Sequence, residues 1–287
     1  MNSQVGLVVH PRRHIDEALQ AIREWGEKRG VAVRQVPIAG QPRRIAEPVD
    51  VASCDFVLAL GGDGTTLAAL HAVAPASRPV LGVACGSIGM LTSVSADRVS
   101  WALDHMQAGE WSPRLLPGLR VASDGRDLGI AINDLVVIRD GPGQVITAVT
   151  VADELYGRTA GDGLVVATPV GSSAYTTAAG GPILAHGAQG MVITPLALHG
   201  GVVPPLVVGP DSSLGIAVEP GYGGSRLELD GREVAPTPAK VTVSLRRDYA
   251  TLVTLADEEP LLTGLRRRGL IVDSARVFIR DARGPDH

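Results

Sequence analysis

The hydrophobic pattern of the chain changes character once, at residues 113–118, and that change constrains the fold more than any other feature. Before it, short apolar runs alternate with helical stretches. Residues 5–9 form a compact β-branched run that reads as a buried strand. Ile15, Leu19, Ile22 and Trp25 recur at helical spacing and predict a helix over 16–28, stopped by Gly30. Further strands are predicted at 31–37, 56–60 and 79–84, and further helices at 66–74 and 96–107. Strands alternating with helices predict a Rossmann-like parallel sheet. After 118 the helical spacing disappears. Short β-rich runs at 130–138, 145–151, 164–167, 192–194, 206–208, 214–218, 225–229, 241–245 and 251–255 are separated by Gly, Pro and Asp. Only 175–186 could hold a helix of any length. The expectation is an α/β domain over 1–117 and an all-β domain, sandwich-like or barrel-like, over 118–265.

Composition narrows the function classes. The 287 residues carry a net charge of −4, which argues against a binder of polyanions through bulk charge, so no nucleic-acid partner is expected. Lys28 and Lys240 are the only lysines. A phosphate site here must therefore use arginine, backbone N–H groups or a metal. Cys54 and Cys85 lack CxxC spacing, which argues against a disulfide scaffold and a cysteine-based zinc site. No apolar run approaches the length of a membrane span. The first apolar stretch precedes its basic residues, the reverse of a signal peptide. A reduced, cytoplasmic location without a membrane partner is expected.

The strongest local signal is LALGGDGTTLAAL at 58–70. A strand runs into Gly61-Gly62-Asp63-Gly64-Thr65 and a helix begins at once. Glycines let backbone approach a ligand closely, and the helix offers free N–H groups and the positive end of its dipole to an anion. A carboxylate in a loop that only held phosphate would repel its ligand. Asp63 therefore fits a water-mediated metal contact or a base that accepts a hydroxyl proton, unless it simply caps the helix. The turn matches neither GxxxxGK[ST] nor GxGxxG. Asn133-Asp134, inside an apolar run, offers an amide and a carboxylate to a ribose or a base, or else marks a turn before a strand. The third signal is GDGLVVATPVGSSAY at 161–175, followed by AGGP. A buried strand there delivers a Gly/Ser loop that can wrap a nucleotide. GxSxG is absent around Ser172 and Ser173, which sets a serine hydrolase aside. Arg266-Arg267-Arg268 reads as a solvated face, or as a phosphate contact across a domain interface.

In this order and at these separations, the three motifs resemble those of the NAD kinases, whose GGDG loop is shared by diacylglycerol-kinase-like and phosphofructokinase-like enzymes. VGLVVHP at 5–11, GVACGSIGMLTSV at 82–94, ITPLALHGGVVPPLVV at 193–208 and LDGREV at 229–234 are similar to other segments of that family. The resemblance implies a kinase that moves the terminal phosphoryl of ATP, or of polyphosphate, to the 2′-hydroxyl of the adenosine ribose of NAD. It implies Mg2+ or another divalent metal bound mainly through the nucleotide, and a homodimer or homotetramer. It also implies a site between an α/β and a β-rich domain, with a C-terminal segment, 266–287, returning to the first. By matching positions, Asp63 would accept the hydroxyl proton. Gly61, Gly62, Gly64 and Thr65 would line the phosphate channel, and Asn133 and Asp134 would hold the acceptor's ribose or adenine end. Asp162 would approach the nicotinamide ribose, and Ser173, Ala174 and Tyr175 would wall an adenine. His199 matches the family histidine, with a turn or core histidine as the alternative. The chain departs from the pattern at Asp134, where Glu is usual, and at His10, Ala84, Ser87, Met90, Gly200 and Pro204. Two other readings stand beside this one: a related kinase for another nucleoside or metabolite hydroxyl, and a nucleotide-binding sensor without turnover.

Overall fold

The computed structural model describes residues 3–185 and 187–282. The first part alternates as the spacing requires: β1 (Gln4–Val9), α1 (Asp16–Arg29), β2 (Ala32–Gln35), β3 (Phe56–Gly61), α2 (Asp63–Val73), β4 (Pro79–Ala84), β5 (Val94–Ser95) and α3 (Val99–Ala108). These strands pair in parallel in the order β2, β1, β3, β4, β5. A parallel sheet is covered on both faces, which is why its strands are continuous apolar runs. Val5, Leu7 and Val9 pack with Leu19, Ile22, Trp25 and Leu103 of α1 and α3. Val8, Val57 and Ala59 face the other way, onto Ala69, Leu70 and Val73 of α2.

The remainder is β-rich: β6 (Ser112–Ser123), β7 (Arg126–Ala131), β8 (Asp134–Arg139), β9 (Val145–Val151), β10 (Glu154–Gly161), β11 (Gly163–Ala167), β12 (Met191–Leu196), β13 (Leu206–Val208), β14 (Ser213–Glu219), β15 (Ser225–Leu229), β16 (Arg232–Val234) and β17 (Lys240–Thr254). Six of them form an antiparallel sheet ordered β13-β12-β11-β8-β15-β16. The rest extend the first sheet to 11 strands. The junction is β17. It pairs antiparallel with β14 and β6, and its end pairs in parallel with β4, Thr251 opposite Pro79 and Leu252 opposite Val80. A second core fills the space between the two sheets, with Leu135, Val137, Leu164 and Val166 facing Leu119, Val149, Ile216 and Val243.

Several elements differ from the sequence reading. The runs at 241–245 and 251–255 are one strand, β17, with a register irregularity between Arg246 and Ala250. Pro117 sits opposite that irregularity inside β6, where its missing N–H leaves no ladder bond unmade. The stretch 175–186 holds only the four-residue helix α4 (Tyr175–Ala178), and His186 lies outside the described residues. The described residues end in α5 (Leu261–Arg267) and α6 (Ala275–Ala282). Among the described residues, no helix is long and apolar enough to cross a membrane.

The chain after β4 folds back across it. Ser93 N–H donates to Gly82 O at 2.9 Å, and a Cβ at Gly82 would lie 2.1 Å from Leu91 O. Gly82→Ala is therefore expected to destabilise the protein by about 2 kcal/mol or more, through forced displacement of 91–93. Urea unfolding measures this, and an unchanged midpoint would show that the crossing tolerates a methyl group.

Candidate active site

β3 ends at Gly61 and α2 begins at Asp63, with Gly62 as the N-cap in an extended conformation. Thr65 and Thr66 donate their N–H groups to Gly62 O at 2.9 and 3.0 Å. Asp63 does not cap its own helix. Its carboxylate reaches the second Gly-rich stretch, accepting Met90 N–H at Oδ2 and Leu91 N–H at Oδ1, both at 2.8 Å. The approach requires Gly89, where a Cβ would lie 1.9 Å from Asp63 Oδ1. Residues 88–90 are braced from behind by the arginine run. Arg268 donates to Ile88 O, Gly89 O and Met90 Sδ. Arg267 donates to Ile88 O at 3.2 Å and pairs with Glu259 at 3.0 Å. Burial, then Arg267, push the Arg268 guanidinium below its ordinary pKa, while the charges of Asp63 and Glu259 oppose the shift.

The run 130–138 divides into β7 and β8 at a bend, Ile132-Asn133. The N–H groups of Ile132, Asn133 and Asp134 all donate to the Asp230 carboxylate, at 2.7, 2.8 and 3.1 Å. Asp230 occupies the β15–β16 turn with φ of 50°, and its side chain is 2% exposed. His71 of α2 contacts the same carboxylate through Nε2 at 2.6 Å, with its Nδ1 3.4 Å from Tyr249 Oη. On its other side the bend is held by Thr168, which donates N–H to Asn133 O at 2.9 Å and Oγ1–H to Ile132 O at 2.6 Å. The helix that begins with Asp63 is thus pinned, roughly 12 Å along its axis at 1.5 Å per residue, to the turn that presents Asn133 and Asp134.

The remaining sequence candidates fall into two places. Ser173 Oγ donates to Val170 O at 3.2 Å, and Ala174 and Tyr175 are exposed beside it. Pro169, Val170 and Ser173 line a small cavity of about 40 Å³ with Met90 and Leu91, so this loop faces the stretch that holds Asp63. Asp162 and His199 lie apart. Asp162 accepts Arg139 Nε–H at 2.6 Å. His199 donates its N–H to Ala160 O at 2.9 Å, and its Nδ1 accepts from Gln144 Nε2 at 2.7 Å. Along the β8–β11 ladder Asp134 pairs with Ala167 and Ile138 with Gly163, and Asp162 lies one residue further, opposite Arg139, which puts it roughly 17 Å from Asp134 at about 3.3 Å per residue. Asp230 and Arg268 lie in segments noted in the sequence, LDGREV and the arginine run, but neither was given its structural role there, and no motif included His71. Among the described residues no three of His, Cys, Asp or Glu gather as a metal cluster. Asp63 offers one carboxylate, a donor set that suits a hard divalent cation carried on phosphates.

Asp134 is buried, and its carboxyl is pushed up to about 7 by that burial and then by the charges of Asp230 and Glu228. A proton held more tightly in the fold contributes stability that is full below the unfolded value of 3.8 and is lost as pH rises through about 7. Asp134→Asn keeps the shape and never ionises. From about pH 5 to about pH 8 the variant is expected to gain stability relative to the unaltered protein, by up to about 3 kcal/mol. Urea unfolding at both pH values measures the gain, and a difference independent of pH would contradict it.

The family model for the ATP-NAD kinase N-terminal domain matches residues 9–111, and that for the ATP-NAD kinase C-terminal domain matches 132–255. The NAD kinase of Chlorobaculum tepidum is 31% identical over 220 residues, 76% of this chain and 77% of that protein. The crystal structure of yeast NADH kinase complexed with NADH superposes with a TM-score of 0.77 at 20% identity, covering 96% of this chain and 90% of the other. The NAD kinase from Archaeoglobus fulgidus in complex with ATP gives 0.74 at 21% identity, covering 94% of this chain and 100% of the other. With both domain models matched in order along one chain, this protein belongs to the ATP-NAD kinase family.

Proposed function

We propose that this protein transfers the terminal phosphoryl of ATP to the 2′-hydroxyl of the adenosine ribose of NAD, giving NADP. The observation that carries the reading is the setting of Asp63. A carboxylate has about four lone-pair sites, and two backbone N–H groups occupy one site on each oxygen. The carboxylate is therefore oriented and still has room to accept a proton. As the ribose oxygen attacks the terminal phosphorus, its proton passes to Asp63, the bond from that phosphorus to ADP breaks, and ADP leaves with the electron pair. Positioning supplies most of the rest.

In this reading Gly61, Gly62, Gly64 and Thr65 line the phosphate channel. Asn133 and Asp134 hold the acceptor ribose, and Ser173, Ala174 and Tyr175 wall the adenine. The Asp134 carboxyl, pushed up to about 7, serves a ribose hydroxyl as donor when protonated and as acceptor when ionised. Asp162 and His199, a strand's length away, take the nicotinamide end. A divalent cation such as Mg2+, arriving with the nucleotide, would supply positive charge to the phosphates and so reduce their repulsion of Asp63. Polyphosphate offers the same terminal group as ATP. The nucleotide lies between residues 1–117 and 118–265, with 266–282 returning to the first part; 283–287 of the expected C-terminal segment 266–287 lie outside the described residues. The enzyme works in the cytoplasm as a homodimer or homotetramer, as the resemblance implies.

Asp63→Asn is expected to unfold cooperatively and to form NADP from ATP, Mg2+ and NAD at least about 10²-fold more slowly. Initial rates by a coupled NADP assay check this. Full turnover in the folded variant removes Asp63 as the base, and absence of NADP with the unaltered protein overturns the proposed reaction.

A further inference from the structure

β1 delivers the chain to His10 at the end of the sheet where β3 runs out into Gly61-Gly62 and β4 into Cys85-Gly86. In open α/β sheets ligands bind at this end, beyond the carboxyl termini of the strands. The turn that follows β1 is exposed yet cross-braced. Arg12 and Arg13 donate their N–H groups to His10 Nδ1 at 3.1 and 2.9 Å. Arg43 Nη1 donates to His10 O at 3.0 Å and to Arg13 O at 2.6 Å. Burial, then Arg13, Arg43 and Arg12, push the His10 pKa down, which keeps the Nδ1 lone pair available to the turn.

What this turn presents is the Arg13 guanidinium. A Cβ at Gly62 would lie 3.2 Å from Arg13 Nη1, and a Cβ at Gly86 would lie 3.4 Å from the same atom. The group therefore rests on both glycine turns at once, beside the N-terminus of α2. Among the described residues, no hydrogen bond or ion pair uses this guanidinium. Arg268, on the other side of the 86–90 stretch, differs: it is committed to Ile88 O, Gly89 O and Met90 Sδ. A chain with two lysines and net charge −4 has placed an uncompensated arginine over the turns that flank Asp63. A guanidinium fork matches phosphate oxygens and gains most where its own side chain has no competing partner.

We propose that Arg13 binds the phosphate chain of the phosphoryl donor over Gly62 and Gly86, and so sets the affinity for the triphosphate. The identity of the donor as ATP rests on the kinase reading, whereas the phosphate chemistry rests on the contacts just described.

The test compares Arg13→Ala, Arg13→Lys and Arg126→Ala, the last removing the same charge from an exposed position on β7. Two quantities are measured: the Kd for inorganic tripolyphosphate by calorimetry, and initial rates of NADP formation against ATP and against NAD. Arg13→Ala is expected to raise both the Kd and the KM for ATP about tenfold or more, with the KM for NAD within about twofold and the melting temperature unchanged. Arg13→Lys recovers part of the loss, and Arg126→Ala shows none. Unchanged tripolyphosphate affinity in Arg13→Ala overturns the inference. So does an equal loss in Arg126→Ala, or no tripolyphosphate binding by the unaltered protein. If the unaltered protein makes no NADP while Arg13→Ala alone loses tripolyphosphate, the kinase reading falls and the phosphate role of Arg13 stands.

Discussion

One buried carboxylate, that of Asp230, holds the site in shape. It accepts three consecutive backbone N–H groups from Ile132, Asn133 and Asp134, and it contacts the His71 imidazole. Four partners match the lone-pair capacity of a carboxylate, which is what permits a charge at this depth. The same contacts solve a second problem. A bend between two strands leaves N–H groups without ladder partners, and here all three find one acceptor. Because the fourth partner comes from α2, the Ile132-Asn133 bend and the Asp63 helix are parts of one body. Removing one donor from such a cluster leaves one lone pair of a buried carboxylate unsatisfied, which typically costs about 1–3 kcal/mol or more.

Three aspartates in this region share a functional group and differ in surroundings. Asp230 is saturated with donors and fixes geometry. Asp134 is buried beside other carboxylates, and its pKa is pushed up to about 7. Asp63 has one backbone donor on each oxygen and capacity to spare. Its two donors belong to a stretch braced by Arg268, so the C-terminal part of the chain reaches the Asp63 turn through 88–90. The site thus has a tie at each end of α2, one through His71 and one through the second Gly-rich stretch.

The legible parts of the fold were those whose local pattern agrees with their tertiary role. β1, β3 and β4 are buried on both faces and read directly as apolar runs, and α1 shows a clean helical stripe. β10, ELYGRTAG, has no such run because it is an edge strand of half-exposed residues. β6 was hidden by its two prolines: Pro117 sits at a register irregularity, and Pro113 pairs with Val253 one residue into the strand. In the site, the GGDGT turn was readable as a strand-to-helix junction, although α2 starts three residues before the expected 66. Asp230 was not readable. Asp-Gly between two short β runs is the ordinary signature of a hairpin turn, and nothing local tells that its carboxylate points inward to partners nearly a hundred residues earlier. His71 lies on an unremarkable helix for the same reason: its partner is 159 residues away in sequence.

The central claim is that Asp63 takes the proton of the acceptor hydroxyl. A crystal structure of the protein with NAD and a non-hydrolysable ATP analogue tests it most directly. The account predicts an Asp63 carboxylate oxygen within roughly 2.6–3.2 Å of the ribose 2′-hydroxyl, on the side away from the terminal phosphorus. A 2′-hydroxyl bonded to a different acid, with Asp63 beyond hydrogen-bond reach and still held by Met90 and Leu91, would contradict it.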